Sequence, residues 1–223
     1  MNVLVTAGPT REAIDPVRYL TNRSSGKMGY EIAAAFAREG HAVLLVSGPT
    51  ALDLPEGVDF LPVESAAEMH DAVSRQIGRM RIAVFAAAVA DYRPLRVADG
   101  KIKKSKQPLT LELEPTPDIL GSARTEFGFR GTLVGFAAET SDLEAQARDK
   151  LVRKGCDLVV ANDVSQPGIG FDSDVNEVLL VRPDRIEPLP RASKHELART
   201  LVRIMLEIHH EKTNVANPSC TSD

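Results

Sequence analysis

The chain has 223 residues, of which 43% are apolar, and its 27 basic and 31 acidic residues leave a formal net charge of only −4. This near balance argues against a general nucleic-acid binder, and no apolar run reaches the length of a membrane span. Two cysteines, Cys156 and Cys220, cannot form a disulfide framework, so a reducing, cytoplasmic location is expected. The His and Cys residues show no metal-ligand spacing, so no metal-ligand residues are predicted.

Six apolar runs of strand length alternate with helical patterns along the chain. The predicted strands lie at 2–7, 42–48, 58–63, 81–89, 132–139 and 157–162. Unbroken β-branched runs of this kind are typical of buried parallel strands. Helical periodicity lies between them, at 29–40, 66–80 and 142–155. The alternation predicts a Rossmann-like, doubly wound α/β fold with a mostly parallel sheet.

Two segments break this alternation and are predicted as antiparallel insertions on the sheet. Residues 91–116 contain a Lys-rich loop followed by the alternating run "LTLELE", and residues 175–190 read as a hairpin. A helix over 193–210 then closes the fold, with Ser193 as its N-cap and Glu196 at the capping-box position. The sequence therefore predicts one domain, with the limits 1–210, and a polar tail over 211–223.

Polar segments follow four of the predicted strands. In an open α/β sheet, ligands bind beyond the carboxyl ends of the strands, so these segments should converge on one edge and form a site. They are "AGPTREAIDPVRYLTNRSSGKMG" (7–29), "AAAVADYRP" (86–94), "GFAAETSD" (135–142) and "ANDVSQPGIGFDSD" (161–174).

The first of these segments ends in "SSGKMG", which leads into a helix at about Gly29. Backbone N–H groups and the positive end of that helix would face outward and favour an anion. Further hydrogen-bond donors lie beside it, on Arg18, Asn22, Arg23 and Lys27. The expected ligand is therefore a phosphate or a carboxylate. A plain helix N-terminus followed by solvated charges is the alternative.

Other charged residues carry the same ambiguity between ligand binding and solvation. The run "KIKKSK" (101–106) holds lysines that a triphosphate would neutralise, although an exposed basic loop is equally open. Asp91, at a strand end, could pair with a base amino group, hold a metal or cap a turn. Lys150 and Lys154 share a helix face, which could bind phosphate or face solvent.

Familiar motifs do not fit the chain. "SSGKMG" lacks the first glycine of a P-loop and has Met28 where Ser or Thr would bind the metal. No G-x-G-x-x-G follows the first strand, and no tyrosine has a lysine four residues later, as a short-chain dehydrogenase requires. A nicotinamide oxidoreductase therefore stays only as an alternative.

Six segments together resemble phosphopantothenoylcysteine synthetase, also called phosphopantothenate–cysteine ligase, over residues 2–208. They are "VTAGPTREAIDPVRYLTNRSSGKMG", "AAAVADYRP", "KIKK", "TPDIL", "VGFAAET" and "ANDV". The resemblance implies a ligase of coenzyme A biosynthesis that joins 4'-phosphopantothenate to L-cysteine. It further implies an acyl-nucleotide intermediate, Mg²⁺, and CTP in preference to ATP as co-substrate.

The resemblance also assigns roles to residues. Asn22 and Lys101 match catalytic positions. Asn22 and Arg18 match substrate-binding positions, with a structural role near the dimer contact expected for Arg18. The nucleotide-binding positions match Ala87, Asp91, Lys101, Pro117, Asp118, Ile119, Phe136, Lys150 and Lys154.

Partners follow from the same resemblance. Family members form homodimers, so the insertions at 91–116 and 175–190 are predicted at the interface, with Lys101 reaching across it. Met1 opens directly on the first strand, which predicts a stand-alone synthetase or an excised domain that binds no FMN. A separate phosphopantothenoylcysteine decarboxylase is then a candidate partner, and neither nucleic acid nor membrane is expected. The alternatives are an NAD(P)-dependent oxidoreductase and a non-catalytic nucleotide-binding protein.

Overall fold

Strands and helices alternate along the chain as predicted, in a computed structural model that describes residues 1–139, 141–163 and 173–216. In chain order the elements are β1 (Asn2–Ala7), β2 (Arg11–Ala13), β3 (Tyr19–Thr21), α1 (Lys27–Arg38), β4 (Ala42–Ser47), β5 (Val58–Pro62), α2 (Ala66–Gln76), β6 (Ile82–Phe85), β7 (Tyr92–Pro94), β8 (Leu113–Pro115), α3 (Ile119–Thr125), β9 (Thr132–Glu139), α4 (Leu143–Lys154), β10 (Leu158–Asp163), β11 (Val175–Val181), β12 (Ile186–Ser193) and α5 (Lys194–Ala216).

The central sheet has the Rossmann strand order. Its eight strands run β12-β11-β10-β9-β6-β1-β4-β5. From β5 to β10 all neighbours are parallel, and the chain reverses its direction of travel across the sheet between β1 and β6. In such sheets the crevice at this reversal, outside the carboxyl ends of the strands, is the usual ligand site. The predicted fold class is confirmed.

Both faces of the sheet are covered, which is why its strands read as unbroken apolar runs. Successive side chains of a strand point to opposite faces, so Val3 and Val5 pack towards α1 and α5, whereas Leu4 packs towards α2, α3 and α4. Phe36 of α1 and Met69 of α2 are fully buried in these two cores. The two cores thus bury the strands on both faces of the sheet.

The two insertions behave differently from each other. β11 and β12 extend the main sheet as an antiparallel edge, as predicted. β7 and β8 instead form a separate two-stranded sheet that packs near the β2–β3 hairpin, so the prediction of an insertion on the main sheet is wrong for 91–116. β6, which precedes this segment, already pairs with β1 and β9 on its two sides, so the segment cannot pair with the main sheet beside β6.

β6 ends earlier than the predicted strand over 81–89. Beyond Phe85 the chain runs beside the segment after β1, with Ala88 N–H donating to the Gly8 carbonyl (2.9 Å) and Ala90 N–H to Thr10 Oγ1 (2.9 Å). Beyond Phe85 a side-chain acceptor thus replaces one of the backbone acceptors that regular β pairing would use. The short elements β2, β3 and α3 were not predicted, because three to seven residues carry too little periodicity to read.

The last helix is longer than predicted. Its capping box is confirmed, since Ser193 Oγ accepts from Glu196 N–H and Glu196 Oε2 accepts from Ser193 N–H. The helix continues to Ala216, into the predicted tail, because Lys212 Nζ donates to Asp157 Oδ2 (2.8 Å) and fixes the final turns. Residues 217–223, with Cys220, lie outside the described residues. Across the part of the chain that the structure describes, no helix is both long and apolar enough to cross a membrane.

Candidate functional site

A cleft of about 660 Å³ lies at the carboxyl ends of β1, β6, β9 and β10. The described parts of all four predicted segments reach it, through Asn22, Ala87, Phe136 and Asn162 among others. Thr140 and residues 164–172, which belong to two of these segments, lie outside the described residues. The predicted convergence of loops at one sheet edge is therefore observed.

The first turn of α1 forms one wall of this cleft. The helix begins at Lys27, and its N-cap Gly26 has a left-handed φ of 79° and no side-chain cap. The N–H groups of this turn therefore have no capping side chain and supply partial positive charge. Gly29 lets the turn lie close to β1, since a Cβ there would stand 2.6 Å from Ala7 Cβ. The predicted anion-binding helix end thus lies in the cleft.

Asn22 links two of the converging segments. Its Nδ2 donates to the carbonyls of Ala88 (2.9 Å) and Val89 (3.2 Å), directly after β6. Both amide hydrogens are used by these bonds, which leaves Oδ1 as the remaining polar atom of the side chain. The amide is therefore held in one orientation at the mouth of the cleft.

Asp118 and Lys154 form an ion pair on the opposite wall. Asp118 caps α3 by accepting from Gly121 N–H (3.0 Å), and Lys154 Nζ donates to its other carboxylate oxygen. Burial alone would raise the pKa of Asp118, but the hydrogen bonds from Lys154 and Gly121 hold the pKa below its usual range. Lys154 is thereby kept at the cleft as a positioned cation.

Lys150 lies one helical turn before Lys154 and is also partly buried. Its Nζ donates to the Phe136 carbonyl on β9 (2.7 Å). Burial lowers the pKa of Lys150, and the nearby carboxylate of Glu139 opposes this shift. A partly desolvated ammonium of this kind interacts strongly with an anion, because little water screens it.

Basic side chains outnumber acidic ones along the cleft. The basic ones are Lys27, Lys150, Arg153, Lys154 and Lys194, and the acidic ones are Asp91, Asp118 and Glu139. Such a lining suits anionic ligands. Within the described residues no group of three or more His, Cys, Asp or Glu side chains could hold a metal ion.

Most of the residues singled out from the sequence line this cleft. Those present are Asn22, Ala87, Asp91, Pro117, Asp118, Ile119, Phe136, Lys150 and Lys154. Lys101, Arg18 and Arg23 are absent from the lining of the cleft in this chain. The Arg18 guanidinium instead contacts Asp15 Oδ2 (2.6 Å) and the carbonyl of Ile102 (2.9 Å), next to exposed Lys101. Arg18 therefore does not line the cleft of this chain, and its assignment to substrate binding stays a prediction.

The end of the cleft nearest α1 contains residues that the sequence did not predict. Lys194 begins α5 and Asn176 lies on β11, and both are buried and line the cleft. Lys27 Nζ pairs with Asp174 Oδ1 (2.7 Å), and this hydrogen bond lowers the pKa of Asp174. The capping box at Ser193 already placed Lys194 at the start of a helix, but only the packing of α5 against α1 brings it to the cleft.

Comparison with known sequences identifies relatives over nearly the whole chain. The sequence model of a family described as the DNA/pantothenate metabolism flavoprotein C-terminal domain matches residues 1–208. The coenzyme A biosynthesis bifunctional protein CoaBC of Vibrio cholerae is 50% identical over 207 residues, which is 92% of this chain and 52% of that protein. CoaBC of Escherichia coli K12 is 46% identical over 215 residues, 95% of this chain and 53% of that protein. The chain thus spans about half the length of these curated relatives.

Solved structures share the fold. The crystal structure of the C-terminal domain of a CoaBC protein has a TM-score of 0.79 and 41% identity, and the match covers 94% of this chain and 96% of that one. A Cab2 mutant in complex with phosphopantothenate-cysteine has a TM-score of 0.80 with 18% identity, covering 97% of this chain and 88% of that one. At that low identity the second likeness concerns the fold alone.

Proposed function

The chain belongs to the family of the DNA/pantothenate metabolism flavoprotein C-terminal domain, and we propose that it is a ligase joining 4'-phosphopantothenate to L-cysteine in coenzyme A biosynthesis. We propose CTP as its co-substrate and the cytoplasm as its location. The products would be 4'-phosphopantothenoylcysteine, CMP and pyrophosphate. Names of the CoaBC relatives support the pathway, and the chemistry of the cleft supports the reaction.

One observation carries the proposal. A single cleft combines an uncapped helix N-terminus at Lys27, a fixed amide at Asn22 and two lysines at Lys150 and Lys154. Its volume of about 660 Å³ is large enough for a nucleotide and a second anionic substrate together. A reaction between two anions needs such a site, because they repel each other unless cations hold them together.

In the first step, a carboxylate oxygen of phosphopantothenate attacks the α-phosphorus of CTP. The bond from this phosphorus to the bridging oxygen breaks, and pyrophosphate leaves with the electron pair. A carboxylate is already nucleophilic, so no strong base is needed, and catalysis rests on positioning and charge stabilisation. We assign Lys150 and Lys154 to the nucleotide phosphates, with Phe136 and residues 117–119 beside the base, and Lys101 to the triphosphate.

In the second step, the cysteine amine attacks the acyl carbon of the acyl-cytidylate and CMP leaves. We assign Asn22 to this intermediate. Its Oδ1 is the polar atom left over, so it can accept a hydrogen bond from an N–H or O–H group of the acyl-nucleotide, and because the amide is neutral it does not retain the product as strongly as a charged group would. The bonds from Nδ2 to Ala88 and Val89 fix the side chain for that role.

Magnesium would enter this site together with the triphosphate. Mg²⁺ usually binds through one or two carboxylates, substrate phosphates and water. The few carboxylates that line the cleft fit that mode better than an all-protein metal cage, and Asp91 and Glu139 would be the side chains to hold the ion. The ion would neutralise charge on the phosphates.

We also propose that the protein acts as a homodimer through the surface formed by the two small sheets. Large apolar side chains are exposed there, namely Val17, Tyr19, Tyr92, Leu95, Leu109 and Leu113. Residues 175–190 contribute none of the large exposed apolar side chains found among the described residues. We therefore favour 91–116 over 175–190 as the interface.

Sedimentation should give a dimer, and Tyr92→Asp with Leu95→Asp should give a monomer. Association with a separate decarboxylase stays a prediction.

The decisive experiment measures pyrophosphate release with 4'-phosphopantothenate and Mg²⁺. CTP, ATP, GTP and UTP are compared, each with and without cysteine. We expect release that requires phosphopantothenate, is fastest with CTP, and yields the amide only when cysteine is present. A folded sample that releases no pyrophosphate with any nucleotide would refute the ligase and favour a non-catalytic nucleotide-binding protein, whereas faster release with ATP would refute only the choice of nucleotide.

A further inference from the structure

A buried carboxylate outside the cleft accepts a hydrogen bond from the loop that carries Lys101. Asp15 lies in the turn between β2 and β3, and its side chain is 0% exposed. Its Oδ1 accepts from the N–H groups of Val17 and Arg18, both at 2.8 Å. Its Oδ2 accepts from the N–H of Ile102 at 3.1 Å. One buried side chain therefore joins two segments that are far apart in sequence.

Arg18, in the same turn, contacts both Asp15 and the main chain of Ile102. Its Nη2 donates both to Asp15 Oδ2 (2.6 Å) and to the Ile102 carbonyl (2.9 Å), and its Nε donates to Asp15 Oδ2 (3.0 Å). The N–H and the carbonyl of Ile102 are thus both held by one ion pair, which we call the Asp15–Arg18 clamp. The Arg18 hydrogen bond is the main reason why the pKa of Asp15 lies well below its usual range.

The clamp connects the chain segments that carry the two candidate catalytic residues. Lys101 directly precedes the gripped Ile102. On the other side, β3 ends at Thr21, and Asn22 follows at once. Thr21 Oγ1 donates to the Thr10 carbonyl (2.7 Å), which ties this end of the hairpin to the segment after β1. The hairpin that leads into Asn22 therefore also fixes the main chain beside Lys101.

Before Lys101 the loop is also tied by the Ala98 N–H, which donates to the Ile14 carbonyl (3.0 Å), and by the Leu95 N–H, which donates to the Glu112 carbonyl (2.9 Å), but the clamp holds the residue directly after Lys101. Between β7 and β8 the chain has no regular secondary structure, and Lys101, Lys103, Lys104 and Lys106 are all exposed. Like charges so close together repel one another. A loop of this kind needs a fixed point if one particular lysine is to reach a defined place.

We infer that Asp15 and Arg18 are positioning residues for Lys101, which they serve by clamping both main-chain polar groups of Ile102. This inference rests on the proposed function, in which Lys101 approaches the triphosphate. It gives Arg18 an indirect role in place of direct substrate contact. Displacing a catalytic group by about 1 Å can cost on the order of 10²-fold in rate, so loss of the clamp should slow pyrophosphate release by up to that factor.

The first test is independent of activity. Hydrogen exchange at the Ile102 amide is measured in wild-type protein, in Arg18→Lys and in Asp15→Asn. Arg18→Lys keeps the charge at a half-exposed position and is expected to fold, while losing the forked contact to Asp15 and Ile102. We expect faster exchange at Ile102 in both variants with core amides unchanged. Unchanged exchange at Ile102 would overturn the clamp, even if the protein proved to have no ligase activity.

The second test asks whether the clamp acts through Lys101. Pyrophosphate release is measured for Arg18→Lys, Lys101→Gln and the double variant. If the clamp serves Lys101, Arg18→Lys lowers kcat in the wild-type background and has almost no further effect in the Lys101→Gln background. Equal effects in both backgrounds would overturn the inference. A wild-type protein that releases no pyrophosphate would refute the proposed function, a result distinct from either outcome.

The insertion at 91–116, which we call the 91–116 excursion, also contains a matched control residue. Arg93 also forms an ion pair, with Glu114 Oε1 at 2.8 Å, and its side chain is 42% exposed against 44% for Arg18. It joins β7 to β8 and has no hydrogen bond to Ile102. Arg93→Lys should leave the exchange of the Ile102 amide unchanged. Equal effects of Arg93→Lys and Arg18→Lys at Ile102 would mean that any ion pair in this region acts alike, and would overturn the specific role.

Discussion

The cleft and the 91–116 excursion place their candidate residues by different means. In the cleft, Lys150 lies on α4 and Asp118 at the start of α3, two helices packed into one core, while Asn22 is bonded to the main chain after β6, so each has a hydrogen bond to backbone. In the excursion, Lys101 is exposed and its neighbour is held by the Asp15–Arg18 clamp. The difference suggests that the cleft is preformed, whereas the position of Lys101 depends on a few polar contacts. Substitutions in the two regions should therefore differ in how they change the reaction rates and the free energy of unfolding.

The largest expected effect concerns Lys101. Lys101→Gln removes the cation assigned to the triphosphate and should lower the rate of pyrophosphate release by about 10²- to 10³-fold, as loss of one transition-state donor does. Rapid-quench measurement of pyrophosphate tests this. Lys104→Gln, in the same exposed loop, is the control and should retain the wild-type rate. Equal loss in both variants would mean that only the total charge of the loop matters.

Within the cleft, Asn22→Asp should impair the second step more than the first. The change replaces the Nδ2 donor by an acceptor that faces two carbonyls, and it adds negative charge beside an anionic intermediate. We expect amide formation to fall by up to about 10²-fold, because the intermediate is no longer held in place. Separate assays of pyrophosphate and of amide check this. Asn2→Asp alters an amide at the opposite end of β1 and should have no such effect, and wild-type amide formation by Asn22→Asp would contradict the assignment.

Gly29→Ala tests whether the cleft is preformed by tight packing. An added Cβ would meet Ala7 Cβ at 2.6 Å, so α1 must move away from β1. Such overpacking should lower the free energy of unfolding by about 1–3 kcal/mol, although alanine normally favours a helix by about 1 kcal/mol over glycine. Urea denaturation measures the change. Gly78→Ala is the control, since an added Cβ there meets no atom within 4 Å, and equal stability of the two variants would refute the tight contact.

The smallest effect concerns Lys150 and pH. Burial lowers its pKa in the folded protein, so above that value the unfolded chain binds more protons at this site than the folded chain. The free energy of unfolding should therefore rise with pH between the lowered pKa and the ordinary lysine value. Lys150→Met should remove this rise, which urea denaturation between pH 7 and pH 10 would detect. Lys104→Met, an exposed control, should keep it, and an unchanged slope in Lys150→Met would contradict the desolvation of Lys150.

Much of the cleft could be predicted because its parts follow strands. Asn22, Asp91 and Phe136 each lie in or beside a segment that comes after a recognisable apolar run, and the parallel sheet brings the ends of those runs together. The excursion was harder to predict. Its two strands have three residues each, and alternation over so few positions does not indicate whether they join the main sheet.

Local pattern alone was enough to predict the order of strands and helices, their two-sided burial and the edge at which the polar segments meet. These depend on periodicity within single elements, which the chain carries position by position. The pairing of Arg18 with the Ile102 carbonyl, and the arrival of Lys194 beside α1, depend on contacts between segments distant in sequence. No periodicity encodes such a contact, because it arises only when packed elements bring two surfaces together. Folding thus placed Arg18 in contact with the loop that carries Lys101, a contact that its position in the sequence did not indicate.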